Sequence, residues 1–390
     1  MKRIGVLLSA GPGGGVLQYT QAILDAVMTL PAGYELTAAY SDEVWAARLT
    51  PRLSVVRLED SAWNRVLNKV WHAAGFSIGL WRRTVARLDS NVRALVGAKC
   101  DLWICPNHER YVFRAPIPAL GTVHDLMHRY ERRFPEVSAA GEYEAREFHF
   151  SETVKWARGI LVDSELGKQH LMESYGADPD RIFVLPYIAP PWIYAYDGRD
   201  DAAVRAKYQL PEKYLFYPAQ FYKHKNHSNL LLALARLRET NPEVKLVLVG
   251  AKERNAYDEV VSQVGTLGLT DNVIFAGYAE DREMAALYHQ ARALMMPTYF
   301  GPTNIPQLEA FALGCPVATS RIYGIPAQVG DAALLFDPDS VSEIHTCLSR
   351  LWNDDALCAS LAARGRAHTD KWGPPQFQAR FREIVEALVQ

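Results

Sequence analysis

The chain has 390 residues, of which 49% are apolar and 22% charged. That length exceeds what one hydrophobic core serves and predicts two or three domains, and the composition excludes a disordered, collagen-like or low-complexity chain. Forty-two basic side chains face forty-four acidic ones, a net charge of -2, which argues against a protein held to nucleic acid by bulk charge.

In chain order, RIGVLLS (3–9) reads as a buried first strand. Its apolar run, Ile4 to Leu8, breaks at once into glycines and is too short for an export signal. Val16, Tyr19, Ile23, Ala26, Val27 and Leu30 then recur at helical spacing, and YELTAAYS reads as a second strand. Strand, glycine turn, helix and strand form the βαβ signature of a doubly wound sheet. DLWICP, PALGTVHD, GILVDS and RIFVLPY continue the strand series. The stretch near 188–204, rich in Pro, Asp and Tyr, predicts a linker. A second series follows, with strands at KYLFYPAQ, VKLVLVGA, NVIFAGY, ALMMPTY, PVATS and AALLFDP and helices over 227–240, 281–291 and 307–314. The tail beyond Trp372 predicts a helix with no strand behind it, free to cross back to the first domain. No run of about 18 apolar residues occurs, so no membrane-crossing helix is expected. The five cysteines include no CxxC pair, which predicts reduced, buried thiols in a cytoplasmic protein.

Four stretches could carry chemistry, and each has a plainer alternative. Gly11-Pro12-Gly13-Gly14-Gly15 lets backbone N–H groups approach a phosphate, or is only a tight turn. A nicotinamide fingerprint wants a third glycine where Val16 stands, although Asp42 and Glu43 keep a dehydrogenase reading open. His124 in Thr122-Val123-His124-Asp125 sits at a strand's carboxyl end, as a cleft residue or as half of a structural His–Asp pair. Lys225 precedes a helix, as a diphosphate clamp or as a solvated side chain. In PTYFGPTNIPQLE (297–309) a polar loop runs into a helix at Pro306, and Glu309 is suited to a ribose diol or to balancing the helix dipole.

These stretches, taken in order with ILVDSELGKQHLMESYGADPDRIFVLPY and IPAQVGDAALLFDP, resemble the retaining glycosyltransferases of the GT-B fold, family 4 (glycosyl transferases group 1), over nearly the whole chain. The resemblance implies an α/β protein of two facing Rossmann-like domains. These are an acceptor-side domain over 1–190, completed by a crossover helix over 372–390, and a nucleotide-sugar domain over 200–371. It implies transfer of a hexose from a nucleotide-sugar to a glycan or lipid-linked glycan, without a bound metal or other cofactor. GDP-mannose and surface polysaccharide synthesis are the expected donor and setting. By position, His124, Lys225 and Asn304 correspond to the catalytic set. Gly14, Gly15, Gln220, Lys225, Tyr278, Thr303, Asn304, Ile305 and Glu309 correspond to donor-binding positions. Two positions depart from the family pattern: Gly301 stands where the first acid of the motif falls, and Gln220 where an arginine falls.

Residues 61–88 place Trp63, Leu67, Val70, Trp71, Ile78, Trp81 and Val85 roughly on one helical face, with Arg65, Lys69, Arg82, Arg83 and Arg87 around them. This segment could rest on an anionic membrane, the inner face of the plasma membrane being the expected one, or pack on its own domain. The rival readings are a nucleotide-sugar epimerase, with Glu131 or Glu142 as acid and base, and a sugar-nucleotide binding protein without turnover.

Overall fold

Short unbroken runs of Val, Ile, Leu and Ala suit strands covered on both faces, as in parallel sheets packed between helices. The computed structural model, which describes residues 1–11, 13–59, 61–75, 77–252 and 256–390, has two such sheets, one in each of two compact units. Pro12 of the glycine loop and Phe76 of the 61–88 segment lie outside the described residues.

The first unit comprises 1–126, 143–186 and 374–390. Its strands are β1 (Lys2–Leu8), β2 (Tyr34–Tyr40), β3 (Leu53–Arg57), β4 (Leu102–Ile104), β5 (Ala119–Thr122), β6 (Gly159–Val162) and β7 (Ile182–Val184). They pair in parallel in the order β3-β2-β1-β4-β5-β6-β7. The sequence reading missed β3, whose residues beyond Leu53 are largely exposed at the sheet edge. The C-terminal helix Pro374–Val389 packs against the helix Gly14–Met28, burying Phe377, Phe381, Ile384, Val385, Leu388 and Val389 along one stripe.

The second unit comprises 127–142 and 187–373. Its strands β8 (Leu215–Pro218), β9 (Leu246–Val249), β10 (Val273–Gly277), β11 (Ala293–Met296), β12 (Val317–Ser320) and β13 (Ala333–Phe336) pair in the order β10-β9-β8-β11-β12-β13. In each sheet the chain winds outward one way from the first strand and then the other. This leaves a switch point between β1 and β4 in the first unit and between β8 and β11 in the second. Ligands of such folds bind beyond the carboxyl ends of the strands at that point.

Two expectations change. The stretch 188–204 is not a bare linker: Ala189, Ile193 and Val204 belong to the core of the second unit, and Pro191–Tyr194 and Asp201–Tyr208 are helices. Residues 127–142, expected within the first domain, group with the second unit because their apolar side chains pack on its loops.

Candidate active site

At the β8–β11 switch point of the second unit, two loops leave adjacent strands and are tied together. The first, after β8, turns through Lys223–Lys225 and ends on Asn226 in left-handed backbone, φ 58°. The buried Tyr217 donates its hydroxyl to the Lys225 carbonyl at 2.7 Å, and Asn226 donates to the Pro338 carbonyl at 2.8 Å. These bonds hold the half-buried Lys225 at the sheet edge. The second loop, after β11, is joined to the first by the Tyr299 N–H donating to the His224 carbonyl at 2.8 Å. The Phe300 ring lies on the His224 ring, centroids 3.8 Å apart. Tyr299 completes the knot by donating its hydroxyl to Asp339 at 2.6 Å.

The second loop then reaches Thr303, Asn304 and Ile305, the residues just ahead of the helix Pro306–Ala312. Gln328 grips Asn304 twice, accepting its N–H at 2.9 Å and donating to its carbonyl at 2.7 Å. The Asn304 N–H, expected to face a donor phosphate, is thus engaged by Gln328. On the helix, Glu309 is buried and accepts the Tyr288 hydroxyl at 2.6 Å. Burial pushes its carboxyl up to about 7; the Tyr288 bond opposes the rise and Asp281 adds to it.

Gly301 has φ +100°, and a Cβ there would lie 2.7 Å from the Thr303 carbonyl oxygen and 3.0 Å from the Asn304 side chain. The absent first acid therefore reflects the shape of this loop, which has no room for a side chain. Gln220 accepts the Ala251 N–H at 3.0 Å, tying the β8 loop to the β9 loop. Tyr278, just past a bulge in β10, is 65% exposed, open to stacking by a planar group.

In the first unit, Gly14 and Gly15 open the helix Gly14–Met28, and Gly14 has φ +81° with open space where a Cβ would be. Further along this helix, the Tyr19 ring meets His124 edge-on at 5.1 Å, and the His108 ring lies 5.2 Å from His124. Burial pushes His124 down to about 4, with Asp125 opposing, so it is neutral at pH 7. Asp125 pairs with Arg146. Beside this group, Glu109 is buried, is pushed up to about 7 by that burial, and accepts the Ser9 hydroxyl across the β1–β4 switch point.

The remaining candidates resolve as follows. Asp42 caps a turn by accepting the Val44 N–H, and Glu43 pairs with Arg57. Glu131 accepts the Tyr323 hydroxyl at 2.7 Å, and Glu142 is exposed. Among the described residues no group of three or more His, Cys, Asp or Glu side chains is placed to hold a metal ion. All five cysteines are free and buried. In 61–88, Trp71, Ile78 and Trp81 are core residues and Arg82 donates to the Phe113 and Ala115 carbonyls, which corrects the expected face. The exposed apolar stripe is Trp63, Val66 and Val70, one side of the helix Ala62–Ala74, flanked by exposed Arg65 and Lys69. Gln328, Tyr288 and Pro338 were missed by sequence reasoning, because a side chain or carbonyl that braces a distant loop has no local signature.

Residues 200–368 match the family described as glycosyl transferases group 1. Over 292 residues the chain is 26% identical to an O-antigen chain mannosyltransferase B of Escherichia coli, covering 71% of this chain and 74% of that one. It is 28% identical over 271 residues to a D-inositol 3-phosphate glycosyltransferase of Corynebacterium aurimucosum, covering 66% and 63%. Its fold is similar to that of Anabaena HepE in complex with UDP-glucose, with TM-score 0.75 at 16% identity over 99% of this chain and all of that one.

Two outcomes are expected. Gly301→Glu does not supply the missing acid but forces the loop open, lowering the stability of the second unit by roughly 1–3 kcal/mol in urea unfolding. An acid whose folded pKa is raised destabilises the fold as pH climbs from its unfolded value, 4.5, through about 7. Glu309→Gln cannot ionise and can still accept from Tyr288. Its stability relative to the unsubstituted protein rises across that window, by up to about 3 kcal/mol between pH 4 and pH 8.

Proposed function

We propose that the chain moves a hexose from a nucleotide-sugar to a glycan or lipid-linked glycan, with retention of anomeric configuration, a reading supported by the match of residues 200–368 to the glycosyl transferases group 1 family. The observation that carries this reading is that Lys225 lies in the loop after β8, and Asn304 and Glu309 in the loop and helix after the adjacent strand β11, on either side of the second sheet's switch point and within the matched residues. Lys225 grips the diphosphate, and Glu309 takes the ribose hydroxyls with the oxygen that Tyr288 leaves available. The donor's phosphate competes with Gln328 for the Asn304 N–H, while Thr303 and Ile305 flank it. Tyr278 carries the base, and Gln220 shapes the loop in which Lys225 sits. Gly14 and Gly15 keep the donor-binding role that the resemblance implies.

In the reaction, the bond from the sugar's anomeric carbon to the β-phosphate oxygen breaks and a bond to the acceptor oxygen forms on the same face. The acceptor's proton passes to the departing phosphate. Lys225 stabilises the charge developing there, as a preorganised cation does, and no metal is expected. His124, neutral at pH 7, is a hydrogen-bond partner for the transferred sugar rather than a cation. Mannose is the sugar that similarity to an O-antigen chain mannosyltransferase favours; GDP is the carrier proposed for it, with surface polysaccharide synthesis as the setting.

The stripe Trp63–Val66–Val70 with Arg65 and Lys69 supports a peripheral position on the anionic inner face of the plasma membrane, where a lipid-linked acceptor is reached. No helix among the described residues is long and apolar enough to cross a membrane.

Lys225→Ala and Glu309→Ala should each lower sugar transfer on the order of 10²-fold, read as nucleoside diphosphate released in the presence of an acceptor. Unchanged rates would refute the assignment, and product formed without acceptor would favour an epimerase. Among UDP, GDP and ADP, GDP should raise the melting temperature most. Trp63→Glu with Val70→Glu should abolish flotation with phosphatidylglycerol vesicles while leaving the fold intact; flotation that persists would remove this stripe from the interaction.

A further inference from the structure

The chain leaves the first unit after Leu126 and returns to it at Tyr143, and the sixteen residues between form a strap within the second unit. Their sequence has no place in the family motifs considered above, yet they touch both loops of the candidate site. Phe134 is buried against Tyr299 and Phe300, with ring centroids at 5.1 and 5.4 Å. Arg133 lies over the Tyr299 ring at 4.3 Å, is bonded to Glu131 at 2.9 Å, and is 3.6 Å from Asp339. Met127 and Val137 complete the same small apolar cluster.

Two carboxylates of the strap bind backbone or side chains that lead directly to Lys225 and Asn304. Glu136 accepts the Lys223 N–H at 2.5 Å and stands 3.6 Å from His224 Nδ1, and so fixes the three-residue turn that ends in Lys225. Burial opposes ionisation of Glu136, but the neighbouring His224 and the backbone N–H groups of Glu136 and Lys223 outweigh it and hold the carboxyl below the usual range. Glu131 accepts the Tyr323 hydroxyl at 2.7 Å. Tyr323 is held at φ 49°, a conformation a tyrosine rarely adopts, and precedes Gly324, whose missing Cβ would lie 2.3 Å from the Pro302 carbonyl oxygen. The short helix Ile325–Val329 that follows carries Gln328, which grips Asn304.

The geometry points to the strap as the positioning element of the diphosphate corner: Glu136 sets Lys225, and Glu131, through Tyr323, sets Asn304. Neither acid touches the donor. The inference rests on the reading that Lys225 holds the diphosphate.

The test is equilibrium binding of GDP, UDP and ADP to the full chain. Glu136→Ala should weaken the tightest of these about tenfold, as Lys225→Ala does. Glu136→Gln, whose amide oxygen still accepts the Lys223 N–H, should bind within about twofold of the unsubstituted protein. Glu136→Ala added to Lys225→Ala should cause no further loss, since its effect passes through the lysine. If Lys225→Ala weakens binding but Glu136→Ala does not, or if the two losses multiply, the positioning role is overturned and the site reading stands. If Lys225→Ala binds as the unsubstituted protein does, the site reading itself falls. Tyr323→Phe removes one oxygen and keeps the test open should the alanine variant not fold. It should weaken binding about threefold, and unaltered binding would overturn the Glu131 arm.

Discussion

The hydrogen bond from the Tyr299 N–H to the His224 carbonyl is the contact on which the candidate site depends. At a switch point two neighbouring strands send their chains to opposite sides, and a gap opens between the loops that follow them. Backbone groups in that gap need partners. Here the loops supply each other's, and the Phe300–His224 stack covers the bond. Tyr299 then ties both loops to Asp339 through its hydroxyl. Lys225 and Asn304, one and five residues from the two ends of this bond, inherit their positions from it.

The site also holds an acid where an acid is costly. Glu309 is buried, has Tyr288 as its hydroxyl donor, and is kept from ionising freely. A fold selected for stability alone would place an amide or an apolar group there. A carboxylate kept buried near neutrality is a common mark of a functional site, and under the proposed reading the energy is recovered when a ligand diol donates to it.

Most of the architecture was legible in the sequence because strands covered on both faces are continuous apolar runs. The segments at 246–249 and 293–296 are of this kind, and each is bounded by glycine, proline or charge. β3 escaped notice because an edge strand keeps only part of its surface buried. The 61–88 segment misled for a related reason: a tryptophan counts equally toward an inner and an outer face, and only packing separates buried Trp71 and Trp81 from exposed Trp63. Lys225 and Glu309 were visible through their loop-to-helix context. Gln328, Tyr288 and Glu136 were not, since each acts on a residue 21 or more positions away and its own neighbours in sequence say nothing of it.

The route of the chain has a practical consequence. It passes from one unit to the other after residues 126, 142, 186 and 373, so neither unit is a continuous piece of sequence. A cut in the 187–204 region, where composition alone invites one, would leave the strap on one fragment and the loops it braces on the other, and would separate the C-terminal helix from the sheet it covers. Dissection of this protein into halves calls for circular permutation or grafted segments, not truncation.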